Sequence, residues 1–141
     1  MIINPYLSFN GNCQAAFELY EKSLGGKVEM SMTYADSPMA SQVPAEWGDK
    51  ILHITLALGD LRLQGADASP DRYEKPRGFS VALALDDAAE ASRIFKELSD
   101  GGTVQLPLQE TFWAAAFAML TDRFGTPWII NCAKPTQGAS A

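Results

Sequence analysis

Residues 51–66 read ILHITLALGDLRLQGA. Leu52, Ile54, Leu56 and Leu58 alternate with His53, Thr55 and Ala57, the period of a strand with one apolar face. Gly59-Asp60 is a tight-turn signal, and Leu61 to Ala66 returns as the second arm of a hairpin. Outward from this hairpin, residues 27–34 (KVEMSMTY) alternate as a further strand. Residues 12–24 place Cys13, Ala16, Phe17, Tyr20 and Leu24 at helical spacing, between an N-capping Asn12 and a Gly25-Gly26 stop. Residues 2–9 (IINPYLSF) read as a strand that Pro5 confines to a first-residue or edge role. The segment 35–50, with Pro38, Pro44 and Trp47, reads as a loop, either a pocket lid or a surface insertion.

The pattern is then written again. Residues 68–78 (ASPDRYEKPRG) form a turn-rich linker, and Phe79 to Leu85 is a strand. Asp87 to Glu90 is a capping box for a helix whose apolar face is Ala91, Ile94, Phe95 and Leu98. Gly101-Gly102 ends it, and strands are expected at about 103–111, 114–121 and 127–133. Tyr20 aligns with Phe95, and Gly59 with Gly125. The second match needs a smaller shift, so the first copy carries extra residues, assigned to 35–50. The expected organisation is a first βαβββ module over 1–67, a linker over 68–78, a second module over 79–133 and a frayed tail over 134–141. The class is α+β, with helices on the large-apolar sheet faces and a curled mixed sheet around a cavity on the other. His53, Thr55, Ser80, Ala82 and Ala84 belong to that cavity side.

Composition narrows the function. The chain has 141 residues, 47% hydrophobic and 20% charged, with net charge -6. Such an acidic chain gains nothing from counterion release on a phosphate backbone, so no nucleic-acid partner is expected. No basic cluster or sufficiently long apolar run points to a membrane, and no signal peptide is read. Cys13 and Cys132 lack a CxxC context and read as core residues in a reducing cytoplasm. The single histidine, His53, rules out a three-His zinc site or a two-His-one-carboxylate iron site from one chain. HExxH, GxSxG, GxxxxGK and GxGxxG are absent.

Several strings carry a family resemblance: Pro5-Tyr6-Leu7-Ser8-Phe9 with Gly11-Asn12, and Leu52-His53-Ile54 leading to Gly59-Asp60. Further on stand Gln109-Glu110-Thr111-Phe112-Trp113, Asp122-x-Phe124-Gly125-x-Pro127-Trp128 and Asn131. Together they resemble the PhnB-like branch of the vicinal oxygen chelate (glyoxalase/bleomycin resistance/dioxygenase) superfamily. The resemblance implies paired βαβββ modules in a module-swapped or paired homodimer. In metal-dependent members, a first-strand His and a last-strand acid of each module hold a divalent ion that stabilises enediolate-like charge. Carried across by the helix and turn alignments, those positions fall on Pro5, Ser80, Leu63 and Ile129. A one-residue slip reaches Asn4, Tyr6, Phe79, Gln64 and Ile130, again without His or carboxylate. The expectation is therefore no cofactor, with a divalent metal disfavoured.

The candidate catalytic residues are His53, the one group with an ordinary pKa near neutrality, and Glu110, a strand carboxylate that desolvation would suit to general-base work. Each also has a bland reading, as a hydrogen-bonded strand His and a solvated acid. The candidate ligand-binding residues are Thr55, Gln64, Ser80, Trp113 and Asn131, with Trp113 placed to stack on a flat ligand. Trp128 reads as core, Asp67 and Asp122 as turn residues bonding local donors, and Gly125 as a positive-φ turn residue. The leading functional expectation is a cytoplasmic small-molecule binding or sequestering protein of the bleomycin-resistance type. The alternative is a metal-dependent lyase, isomerase or dioxygenase using relocated ligands, His53 and Glu110. Methyl transfer to a quinone-like substrate and phosphonate binding rank below both, for want of a glycine-rich loop and a basic cluster.

Overall fold

A computed structural model describes residues 1–135, in two compact units that divide at Lys75/Pro76. The first unit runs β1 (Tyr6–Phe9), α1 (Cys13–Leu24), β2 (Lys27–Thr33), β3 (Ile51–Leu58) and β4 (Leu61–Asp67). Its sheet order is β1-β4-β3-β2, with β1 parallel to β4 and the other pairs antiparallel. The second unit runs β5 (Val81–Leu85), α2 (Ala88–Ser99), β6 (Thr103–Gln109), β7 (Ala114–Thr121) and β8 (Pro127–Ala133). Its order, β5-β8-β7-β6, repeats the first. The class is α+β, and the twofold βαβββ pattern is present. Among the described residues no helix is long and apolar enough to cross a membrane.

Each helix covers one sheet face because that face is apolar. In the first unit Leu7, Phe9, Ile54, Leu56 and Leu63 are buried on it, and α1 lays Phe17 and Tyr20 against them. Phe9, Phe17 and Tyr20 meet edge to face or tilted, with centroids 5.5–6.4 Å apart. Fully burying each such side chain contributes about 1.5–3 kcal/mol. Gly65 lies beneath Phe17, and a Cβ there would come within 2.7 Å of the ring. In the second unit Trp128, Ile130 and Cys132 of β8 and Ala91, Ile94 and Leu98 of α2 are buried. Trp128 is thus a core residue, and both cysteines are free and buried. Asp87 caps α2, accepting from Ala89 N and Glu90 N, a contact worth about 1 kcal/mol.

Several expectations change at element ends. The first strand starts at Tyr6, not residue 2, because the ladder begins where Pro5 O accepts from Gln64 N. The second module's first strand begins at Val81 rather than Phe79. Strand β6 stops at Gln109, so Glu110 is in the turn, not on a strand. Pro107 is tolerated inside β6 because β6 is an edge strand. Asn12 occupies the N-cap position of α1 without a side-chain cap bond. The segment 35–50 holds two short 3-10 turns, Ala40–Gln42 and Ala45–Trp47. It is longer than 110–113 by more than the two-point alignment suggested, because the hairpin turn 122–126 outgrows Gly59-Asp60 and hides part of the difference. Of the tail expected to fray, 136–141 lies outside the described residues.

Asp67 departs furthest from its expected role. Its carboxylate is buried and spans the unit: Oδ1 accepts from Gly11 N (2.8 Å) and Cys13 N (3.0 Å), and Oδ2 from Ile51 N (2.9 Å). Its backbone carbonyl accepts from Tyr34 Oη at 2.8 Å. It is a long-range tie, not a local turn residue. Asp122 does match the turn reading, accepting from Phe124 N and Thr126 N, and adds a bond from Trp128 Nε1 at 2.8 Å. Gly125 in that turn has φ +96°, which L side chains rarely adopt.

Candidate functional site

The sheet face opposite α1 collects the polar side chains of the first unit. Alternation puts Leu7, Leu63 and Ile54 under the helix, and therefore Tyr6, Gln64, His53 and Thr55 on the other side. Register brings them together: Tyr6 pairs with Gln64, and Gln64 with Thr55. His53 lies between two hydroxyls, with Nδ1 2.9 Å from Tyr6 Oη and Nε2 3.0 Å from Thr55 Oγ1. Gln64 Nε2 donates to Thr55 Oγ1 at 3.5 Å. The Tyr6 and His53 rings are tilted at 38° with centroids 5.5 Å apart. Thr55 is 6% exposed and Tyr6 50% exposed, so the array runs from interior to surface. Burial, with smaller contributions from Cys13 and Tyr34, pushes the Tyr6 phenol above its ordinary value, so it stays protonated at neutral pH.

At one end of this face is a hollow of about 820 Å³. Ser8 and Ala66, which continue the face beyond Tyr6 and Gln64, form part of its wall. The loop 35–50 supplies another part through Met39, Val43 and Trp47. The Trp47 indole N–H is buried without a hydrogen-bond partner among the described residues.

The second unit places its candidates differently. Asn131 pairs with Phe117 and Ala84 on the face away from α2. Trp113 is 47% exposed and packs edge to face between Phe112 and Phe117, at 4.7 and 5.1 Å. Ser80 lines a recess of about 530 Å³ with Phe79, Met119, Thr121 and Ile129. Glu110 is exposed and 3.7 Å from Lys134 Nζ. The structure thus joins His53, Thr55 and Gln64 in one bonded array, and it sets Trp113 and Asn131 around Phe117. Sequence reasoning missed Tyr6 as a member of the array. The available signal was its parity: two residues before Ser8 and one before the buried Leu7, it shares a face with the His53 side of β3.

Register also corrects the module alignment. Gln64, paired with Tyr6 and Thr55, corresponds to Ile129, paired with Ala82 and Met119. Leu63 is 3% exposed under α1 and is not the partner of Ile129. The four positions implied for a metal by the superfamily resemblance become Tyr6, Gln64, Ala82 and Ile129. Two of these carry no ligand atom, so the donor set does not fit that metal site.

Residues 2–131 match the family model described as 3-demethylubiquinone-9 3-methyltransferase. The chain is 35% identical to Protein YjdN of Escherichia coli (strain K12), over 97% of this chain and 100% of that one. It is 47% identical to the solved protein PA1353 from Pseudomonas aeruginosa, with TM-score 0.87 over 96% of this chain and 99% of that one. The fold is also that of a bleomycin-binding protein from Streptomyces verticillus complexed with copper(II)-bleomycin: TM-score 0.59, 12% identity, 95% of this chain and 97% of that one.

Proposed function

The chain belongs to the 3-demethylubiquinone-9 3-methyltransferase family, in the PhnB-like branch of the vicinal oxygen chelate superfamily, and on that footing we propose that it is a small-molecule binding protein. Its ligand sits on the first unit's open sheet face, around His53 and the hollow beside Ser8. The observation that carries this reading is the bonded array Tyr6–His53–Thr55–Gln64 on a face that the unit's own helix leaves free. A polar array of this kind beside an apolar-walled hollow is how small-molecule sites fix orientation. The bleomycin-binding relative, alike in fold, is a precedent for binding. In this reading Trp113 and Asn131 offer a second, stacking contact surface. The protein works as a cytoplasmic homodimer without nucleic-acid or membrane partners.

Methyl transfer, named in the family's description, draws less support. At the two strand-to-helix turns the N–H groups of Gly11 and Cys13 are taken by Asp67, and those of Ala89 and Glu90 by Asp87, which leaves fewer donors for a methyl donor's anionic groups. The metal-dependent reading also draws less support: among the described residues no three His, Cys, Asp or Glu side chains gather where they could hold a metal ion. A thermal-shift screen of aromatic, enone and phosphonate libraries, followed by native mass spectrometry, tests the binding reading. Hits that His53→Ala abolishes are expected; a blank screen overturns it.

A further inference from the structure

The hydrogen bonds around His53 fix a direction, and that direction selects a ligand. Thr55 is buried, and a buried hydroxyl proton requires an acceptor. Among the described residues the acceptor within reach of Thr55 Oγ1 is His53 Nε2, at 3.0 Å. Gln64 turns its amide nitrogen toward the same oxygen, at 3.5 Å, and in that orientation it donates. The hydroxyl therefore donates to Nε2, and the proton of the neutral ring is on Nδ1. Nδ1–H then donates to Tyr6 Oη at 2.9 Å, leaving the phenol's own proton free on the exposed side.

We infer that the array Gln64–Thr55–His53–Tyr6 is a one-way chain of donors that makes Tyr6 the specificity-determining contact, selecting ligands with an acceptor oxygen: a phenolate, enolate, carbonyl or carboxylate. This rests on the binding reading above and adds the ligand's chemistry. A ligand offering only a donor finds a lone pair of the phenol oxygen already held by Nδ1–H, and taking that place reverses the chain. Tyr6 then donates to Nδ1, Nε2–H turns to Thr55, and the buried Thr55 proton loses its acceptor. Leaving one buried donor unmet disfavours such a ligand about tenfold or more.

Because His53 is the chain's one histidine, a single labelled ring reports the direction. Nitrogen-15 NMR of histidine-labelled protein is expected to show, for the neutral ring, Nδ1 protonated and Nε2 bare. Thr55→Val should move the proton to Nε2, and Thr55→Ser should restore the original tautomer; the amide spectrum of each variant reports its fold. An Nε2–H ring in the unaltered chain, or no response to Thr55→Val, overturns the direction even if ligands bind. The ligand arm uses calorimetry with 4-nitrophenolate and 4-nitrotoluene. Phenolate affinity should fall about tenfold in Tyr6→Phe while nitrotoluene is unchanged. Equal effects on the two probes, or no phenolate binding to a protein whose ring carries the Nδ1 proton, overturn the ligand class. Hits of other chemistry in the screen would then leave the binding reading standing.

Discussion

In the first unit a single row across the sheet reads Met30, Thr55, Gln64, Tyr6; in the second, the row in the same register reads Leu106, Met119, Ile129, Ala82. One backbone pattern carries a hydrogen-bonded array in one unit and an apolar strip in the other. Strand order and helix placement follow from alternation, which only asks that one face be apolar. The other face is left free to specialise. His53 has Phe117 as its counterpart, and the second unit spends that position on aromatic packing with Trp113.

The units also differ in how a buried aspartate holds them. Asp67 ties segments 16 to 56 residues apart, whereas Asp122 serves donors two to six residues away. Asp67→Ala should therefore cost about 4 kcal/mol and lower Tm by more than about 10 °C, against about 2 kcal/mol for Asp122→Ala. Equal losses in urea and thermal unfolding would break the contrast. Next comes Gly65→Ala. Gly65 lies in β4 where β8 has Ile130, and an added methyl meets Phe17 and the Leu7 carbonyl. A loss of about 1–3 kcal/mol is expected, read as a fall in the urea midpoint.

A pH effect sharpens the same contrast. Burial first, and the Asp67 carboxylate second, push the Cys13 thiol well above its ordinary 9.0. The folded chain keeps this proton where the unfolded chain releases it. Stability contributed by the thiol is thus complete below pH 9 and lost as pH rises beyond it, at up to about 1.4 kcal/mol per pH unit. Alkaline unfolding curves should flatten in Cys13→Ala. The smallest stability effect is expected from His53→Phe, which copies the second unit's residue onto an open face. It should shift unfolding by less than about 1 kcal/mol while abolishing binding of the screened ligands.

What was legible in the sequence follows from range. The hairpin 51–66, both helices and the Asp122 turn are set by neighbours within a few residues, and each was readable. Asp67 precedes Ala68-Ser69-Pro70 and so resembles a turn residue, because its donors lie far off in the chain. Tyr6 and His53 meet across 47 positions through two strand pairings. No local period records that meeting. The slip that equated Leu63 with Ile129 has the same origin: one count cannot absorb turns of different length. Glu110 reads as a strand acid because β6 ends at Gln109, two residues short of the expected strand.

The loop 35–50 has both ends pinned. Tyr34 N donates to Lys50 O, Ala35 N to Gly48 O, and the Tyr34 hydroxyl to Asp67 O. These bonds close the segment off at its base, so its interior length is decoupled from the sheet. Chains with shorter, longer or grafted stretches between Asp36 and Trp47 should keep the same strands. Only the wall of the hollow would be rebuilt, and the frame that holds His53 would stay as it is.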